Sequence, residues 1–149
     1  EVCAATKNIY SMLIGASEGL SSNTPDNEIK KKYYLNTAAS LAYKSVSEMK
    51  NLTERLNGKA ETAYGLSGLG DLYVSSAGGR NSKMGYYLGQ GHLFKEAKEK
   101  FMKDITVEGA DLAFEIGPKI LQEFDKKEFP LLISVIESIY NNKKLEISW

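Results

Sequence analysis

The longest helical pattern in the chain is TPDNEIKKKYYLNTAASLAYKSVSEMKNLTERLNG, residues 24–58. Thr-Pro-Asp at residues 24–26 is a typical helix start, with a hydroxyl N-cap, proline at the first helical position and an acid in the first turn. Asn57 and Gly58 are typical of a helix end. Between these signals the apolar side chains recur at steps of four and three, which predicts one long helix to about Leu56. This apolar seam consists of Leu35, Ala39, Ala42, Val46 and Met49.

The same period recurs on both sides of this helix. Residues 2–16 carry apolar side chains on one face, which predicts a first helix. Gly15 and Gly19 are expected to weaken this helix, and the polar residues 21–23 are expected to end it. Further helices are predicted at about residues 93–102, 107–124 and 129–140. No alternating strand pattern exceeds four residues. The sequence therefore predicts an all-α, single multi-helix domain of six to eight helices over residues 1–149.

The composition narrows the classes of function. The chain has 149 residues, with 19 Lys+Arg and 19 Asp+Glu, so its net charge of zero removes the general electrostatic case for nucleic acid. The sequence has one cysteine, Cys3, and one histidine, His92. A single cysteine excludes an intrachain disulfide framework, and so few Cys and His residues exclude most metal sites built from them, so no metal site is predicted. One cysteine also fits a reducing, cytoplasmic compartment. The sequence contains no run of about 18 apolar residues, so no membrane span is predicted.

Glycine is concentrated in the middle of the chain. Eight of the 13 glycines lie in residues 65–91, which suggests a functional site or, equally, loose loops between short helices. The run GLSGLG at residues 65–70 lacks the Gly-x-Gly-x-x-Gly spacing and a preceding strand. The phosphate-binding P-loop motif is also missing from the sequence. The chain therefore carries no recognisable nucleotide-binding unit of its own.

Two clusters contain candidate acid–base groups. Lys7 and Asn8 follow small residues on the first helix, where a desolvated lysine can act as an acid–base group; the alternative is a surface lysine that snorkels to water. Asp71 and Ser75 are four residues apart and share a face if that segment is helical. The alternative for Asp71 is a helix N-cap. We predict that Asp71 and Ser75 face Lys7.

A third cluster is Gly-Gly-Arg-Asn at residues 78–81. Two glycines before a helix can aim backbone N–H groups and the Arg80 guanidinium at an anion, above all a phosphate. Only Arg55 and Arg80 are arginines against seventeen lysines, which mildly favours a bidentate role for Arg80. The alternative is a helix capped by Asn81 beside an exposed arginine.

In their order and spacing these motifs resemble the substrate-binding C-terminal domain of NAD(P)-dependent glycerol-3-phosphate dehydrogenase. The resemblance covers essentially the whole chain, and its combined motifs are fairly specific. It implies the helical fold of the C-terminal domains of glycerol-3-phosphate and 6-phosphogluconate dehydrogenases. The matching segments are residues 1–8 (EVCAATKN), 26–27, 48–49 (EM), 65–72 (GLSGLGDL), 75–81 (SSAGGRN) and 107–109 (VEG).

The resemblance also implies roles for individual residues. Lys7 would be the acid–base group at the substrate C2 oxygen, and Asp71 would keep it charged and placed. Ser75 and Asn8 would assist in binding the substrate, and Arg80 with Asn81 would hold its phosphate. Arg80 would also reach the cofactor, whose nicotinamide-nucleotide side Glu108 would contact.

For the whole protein, the resemblance implies interconversion of sn-glycerol 3-phosphate, a phospholipid precursor, and dihydroxyacetone phosphate with NAD or NADP. The cofactor would be bound mainly by an N-terminal Rossmann domain absent from this chain. This chain alone is therefore expected to be inactive. Alternatives are a non-enzymatic module for packing or dimerisation, and the helical domain of a ketopantoate or phosphogluconate type of reductase. A homodimer is left open.

Overall fold

The computed structural model describes residues 1–23 and 25–147, with residues 29–33 described by their backbone alone. The described residues form helices and connecting turns without a β-strand, which confirms the predicted all-α class. A 3-10 turn, Ala60–Tyr64, and a π-helical turn, Leu66–Gly70, lie between the second and third α-helices. The seven α-helices within the described ranges are α1 (Val2–Ser21), α2 (Asn27–Arg55), α3 (Asp71–Ser76), α4 (Arg80–Gly89), α5 (Phe94–Phe101), α6 (Glu108–Glu123) and α7 (Pro130–Tyr140).

Helix α1 is the centre of the domain. It packs against α2, α3, α4, α6 and α7, and its side chains at Ile9, Tyr10 and Leu13 are completely buried. Apolar and small residues of α1 lie on several of its sides, so neighbouring helices can pack against it from several directions. The functional candidates near its N-terminus therefore lie among the ends of other helices.

Glycines bring the backbones of α1 and α4 into direct contact. A Cβ atom on Gly85 would lie 1.8 Å from the carbonyl oxygen of Met12, and one on Gly15 would lie 1.9 Å from that of Ser82. The predicted end of the first helix at residues 21–23 is confirmed, since α1 continues through Gly15 and Gly19 to Ser21, and the two glycines do not interrupt it. Their absent side chains make room for α4 instead. The four glycines at this crossing are Gly15, Gly19, Gly85 and Gly89.

Helix α2 begins later than its start signal predicts. It starts at Asn27, so Pro25 precedes the helix rather than occupying its first position. The Asp26 carboxylate accepts a hydrogen bond of 2.9 Å from the Glu28 N–H and thereby caps the first turn. The predicted cap Thr24 lies outside the described residues.

The predicted end of α2 is confirmed. Asn57 has a positive φ of 59°, and the N–H of Gly58 donates to the Thr53 carbonyl oxygen at 2.8 Å. This is the bonding pattern of a Schellman C-cap, in which a left-handed residue lets the chain reverse over the last turn. The chain then leads directly into the turns that precede α3.

The apolar seam of α2 is only partly a core seam. Val46 and Met49 are buried as predicted, whereas Leu35 is 55% exposed and Ala39 is also exposed. The difference arises because α7 meets α2 around Glu48, in the second half of the helix. Periodicity identifies an apolar face but does not say how far along the helix its neighbours reach.

Glu48 joins α2 to α7 through a buried carboxylate. Its two oxygens accept hydrogen bonds of 2.9 Å from the N–H groups of Leu131 and Leu132. These N–H groups lie in the first turn of α7 and therefore have no acceptor within the helix. The Tyr10 hydroxyl donates to the same carboxylate at 3.2 Å. Burial raises the pKa of the Glu48 carboxyl group, and these hydrogen bonds oppose the rise. Glu48 therefore fixes three helices relative to one another.

Replacing Glu48 with alanine is expected to lower the free energy of unfolding by about 2–3 kcal/mol, because buried donors on α7 and Tyr10 lose their acceptor. Urea unfolding followed by circular dichroism measures the change. Glu54→Ala is the control, since Glu54 is an exposed residue of the same helix that pairs with Lys50. Equal stability of the two variants would contradict the role of Glu48.

No helix in the described part of the chain is both long and apolar enough to cross a membrane.

Candidate functional site

Lys7 and Asp71 form an ion pair near the N-terminus of α1. The Lys7 ammonium group donates a hydrogen bond to Asp71 Oδ2 at 3.0 Å. The side chains are 21% and 45% exposed, so the pair is reachable from solvent while Lys7 is largely enclosed. This contact confirms that Asp71 faces Lys7. Lys7 is therefore not a free surface lysine, and the Asp71 carboxylate is used in this pair rather than in a helix cap.

The π-helical turn Leu66–Gly70 places Asp71 at the start of α3. π-Helical turns are rare and often occur at functional sites. Gly68 is buried in this turn, where a Cβ atom would lie 2.2 Å from the carbonyl oxygen of Ala63. On the other side of Asp71, the completely buried Leu72 fastens α3 to the core. Asp71 is thus held from both sides.

Ser75 and Asn8 extend this part of the site. Ser75 follows Asp71 by one turn of α3, so the two residues share a helical face as predicted. Asn8 follows Lys7 on α1, and both Ser75 and Asn8 are half-buried. Their side chains form no hydrogen bond with other described residues. Their polar groups are therefore available to a ligand.

The second half of the site lies at the N-terminus of α4. Gly78 has a φ of +119°, which favours glycine, and Gly79 is the extended N-cap residue before Arg80. The alternative of an Asn-capped helix is wrong, because Asn81 is the second residue inside α4. The Arg80 guanidinium donates to Glu108 Oε1 at the start of α6. Arg80 is thus exposed, but it is already paired with a carboxylate.

Asn81 links α4 to α6. Its Oδ1 accepts a hydrogen bond of 2.8 Å from the Gly109 N–H, and its Nδ2 donates to Glu108 Oε2 at 3.3 Å. The residue is buried, so these contacts fix the first turn of α6 against α4. An amide nitrogen carries two hydrogens, so one N–H donor of Asn81 is not used in these contacts.

Close backbone contacts join the two halves. A Cβ atom on Gly109 would lie 2.6 Å from the carbonyl oxygen of Asn8, so α6 begins beside Lys7. Similarly, a Cβ atom on Gly79 would lie 2.9 Å from the carbonyl oxygen of Ser75. All of the sequence-predicted site residues therefore lie in one region of the domain. We call this set the polar corner: Lys7, Asn8, Asp71, Ser75, Arg80, Asn81 and Glu108.

Two features of the polar corner are not evident from sequence reasoning. Spacing does not predict that Glu108 pairs with Arg80, because 28 residues separate them. The second feature is the close approach of α6 to α1, for which the glycine at position 109 in the first turn of α6 is the signal in the sequence.

Among the described residues, no three His, Cys, Asp or Glu side chains are arranged to hold a metal ion.

The sequence comparisons identify relatives over nearly the whole chain. The family described as "NAD-dependent glycerol-3-phosphate dehydrogenase C-terminus" matches residues 1–148. The NADP(+)-dependent glycerol-3-phosphate dehydrogenase of Archaeoglobus fulgidus is 34% identical over 98% of this chain and 42% of its own length. The glycerol-3-phosphate dehydrogenase [NAD(P)+] of Chlamydia pneumoniae is 32% identical over 95% of this chain and 39% of its own length. The chain thus spans about two fifths of these relatives.

Solved structures show the same fold. The crystal structure of glycerol-3-phosphate dehydrogenase from Coxiella burnetii matches with a TM-score of 0.75 and 28% identity, over 97% of this chain and 40% of that chain. The yeast glycerol-3-phosphate dehydrogenase structure, at 23% identity and a TM-score of 0.73, agrees in fold over 96% of this chain and 38% of that chain. By a sequence match over residues 1–148, the chain belongs to the family of C-terminal domains of NAD-dependent glycerol-3-phosphate dehydrogenase.

Proposed function

We propose that this chain is the substrate-binding and acid–base part of an enzyme that interconverts sn-glycerol 3-phosphate and dihydroxyacetone phosphate. The observation that carries the proposal is the Lys7–Asp71 ion pair of 3.0 Å in the polar corner that also contains Arg80. An ammonium group suits an alkoxide-like transition state, and a guanidinium suits a phosphate. The family membership of the chain supports the same assignment.

Lys7 acts as the acid–base group in this proposal. During reduction of the ketone, its ammonium group donates a proton to the C2 oxygen as hydride arrives at C2. In the opposite direction the neutral amine takes the proton from the C2 hydroxyl. Asp71 accepts a hydrogen bond from Lys7, which orients the ammonium group. Ser75 and Asn8 contribute polar contacts to the substrate from either side.

Arg80 and the first turn of α4 bind the substrate phosphate. Gly78 and Gly79 give the chain a tight turn, after which the first N–H groups of α4 point out of the helix. The helix dipole favours an anion at this position by about 0.3–1 kcal/mol. A hydrogen bond to a charged group contributes roughly 1.5–3 kcal/mol, so Arg80 is the dominant contact. Asn81 offers its remaining N–H donor.

The proposed cofactor is NAD or NADP, which supplies or accepts the hydride. Arg80 and Glu108 are exposed and oppositely charged, which fits contacts with phosphate and ribose hydroxyl groups at the edge of a dinucleotide. A glycine-rich turn between a strand and a helix is the usual site for the pyrophosphate. The described residues form no strand, so we place the main cofactor site on an N-terminal Rossmann domain outside this chain.

The proposal places the complete protein in the cytoplasm and leaves a homodimer open. An assay of the complete protein tests it, with oxidation of NADH or NADPH followed in the presence of dihydroxyacetone phosphate. Activity with this ketone, and none with ketopantoate or 6-phosphogluconate, is expected. A protein that turns over either alternative instead would refute the substrate assignment, and one inactive with all three would favour a packing or dimerisation module.

Arg80→Lys in the complete enzyme is expected to raise the KM for glycerol 3-phosphate about tenfold. Lysine keeps the charge but loses the forked pair of donors, and about 1.4 kcal/mol corresponds to a tenfold change. Steady-state kinetics measures the effect. Arg55→Lys is a matched control, because Arg55 pairs with Glu128 and stacks over Phe124. An unchanged KM in Arg80→Lys would remove Arg80 from the phosphate site.

A further inference from the structure

The ion pair between Arg80 and Glu108 occupies the donor that the phosphate site requires. The Arg80 Nη2 donates to Glu108 Oε1, so an incoming anion meets a guanidinium that already has a carboxylate partner. The side chains of Arg80 and Glu108 are 59% and 38% exposed, respectively. Since both ends of the pair are open to solvent, a ligand can reach the guanidinium without moving the backbone.

We propose that the Glu108 carboxylate is an internal competitor of the ligand: it pairs with the Arg80 guanidinium in the empty site. When the ligand binds, the guanidinium exchanges Glu108 for the ligand phosphate. The inference rests on the proposed function, because it concerns the same anion site. A carboxylate and a phosphate both bind the planar donors of arginine, and so they compete for the same fork. Glu108 thereby lowers the affinity of the empty site for anions and raises the concentration of substrate needed to fill it.

The contacts indicate which partner moves. Glu108 Oε2 is held by Asn81 Nδ2 at 3.3 Å, and Asn81 is buried and bound to the Gly109 N–H at 2.8 Å. The carboxylate is therefore anchored independently of Arg80. Arg80, by contrast, is a long side chain on the first residue of α4, and it pairs with Glu108. The exchange is a swing of the Arg80 side chain, while α4 and α6 stay joined through Asn81.

A purely structural pair makes a different prediction. If the pair served only to fasten α4 to α6, removing its charge would weaken the domain and leave anion affinity unchanged. Glutamine at position 108 separates the two roles, because its side-chain oxygen still accepts the hydrogen bond from Asn81. It removes the charge that attracts Arg80 and repels the phosphate.

The experiment measures binding of inorganic phosphate and of glycerol 3-phosphate to the 149-residue chain by NMR titration. Glu108→Gln is expected to bind both ligands about three- to tenfold more tightly, which corresponds to losing an exposed ion pair and a nearby like charge. Glu115→Gln is the matched control, because it removes the same charge from an exposed position two turns along α6. It should bind like the unmodified chain. Circular dichroism verifies that each variant is folded.

A second variant, Arg80→Gln, separates failure of this inference from failure of the proposed function. Lost binding in Arg80→Gln together with tighter binding in Glu108→Gln supports the competitor. Lost binding in Arg80→Gln with unchanged or weaker binding in Glu108→Gln overturns the competitor and leaves the phosphate site standing. Unaltered binding in Arg80→Gln, or no binding by any of the variants, overturns the phosphate site and the competitor with it.

Discussion

Lys7→Met in the complete protein is expected to lower kcat by about 10²- to 10⁴-fold, the usual contribution of a positioned acid–base group. Methionine keeps much of the length and apolar volume of the lysine stem but has no proton to give. The KM for glycerol 3-phosphate should change much less, because the phosphate site that we propose on α4 remains. Steady-state kinetics in both directions measures the two parameters separately.

The control for Lys7 is Lys83→Met. Lys83 is an exposed residue of α4, and the described residues offer it no ion-pair partner, so its loss changes the net charge equally. It should leave kcat unchanged. A kcat for Lys7→Met within threefold of the unmodified enzyme would contradict the acid–base role. A parallel fall in kcat in both variants would assign the effect to net charge.

The pairing of Lys7 with Asp71 was within reach of sequence reasoning. The i, i+4 spacing of Asp71 and Ser75 predicts a shared helical face, and small residues before Lys7 predict room for a neighbour. The structure supplies the rest, because the path of the chain from α2 to α3 depends on the turn around Gly68. A π-helical turn has no simple sequence pattern, and so the distance of 3.0 Å could not be predicted.

The partners of Asn81 and Glu108 lay beyond sequence reasoning for a different reason. Both residues were predicted as ligand contacts, yet their hydrogen bonds join α4 to α6 across 27 residues of sequence. Periodicity describes one helix at a time, whereas these contacts depend on how two helices meet. Glu48 is similar: its place in α2 was predicted, but its role depends on where α7 begins.

Glycine composition was the most ambiguous signal. A dense run of glycines was compatible with a site or with loose loops, but it also contains glycines that serve helix packing. Gly78 and Gly79 shape the turn before Arg80, whereas Gly85 and Gly89 lie inside α4 and serve packing. The four-residue spacing of Gly85 and Gly89, repeated by Gly15 and Gly19, was the available clue to a close helix crossing.

Gly85→Ala is therefore expected to lower the free energy of unfolding by about 3–5 kcal/mol, at or above the upper end of overpacking effects. Alanine favours a helix over glycine by about 1 kcal/mol, but its Cβ atom would lie 1.8 Å from the Met12 carbonyl oxygen. Two backbones, not a flexible side chain, must separate to admit it. Because α1 also carries Lys7, this separation would disturb the polar corner as well.

The matched control is Gly70→Ala, followed like Gly85→Ala by urea unfolding with circular dichroism. Gly70 has helical backbone angles, and its nearest obstacle is the Leu66 Cδ2 atom at 3.2 Å, the end of a side chain that is 86% exposed. That side chain can turn away, so Gly70→Ala should match or exceed the stability of the unmodified chain. If Gly85→Ala were equally stable, the close backbone contact of α1 and α4 would not be what sets their crossing. The position of Arg80 relative to Lys7 would then need another determinant.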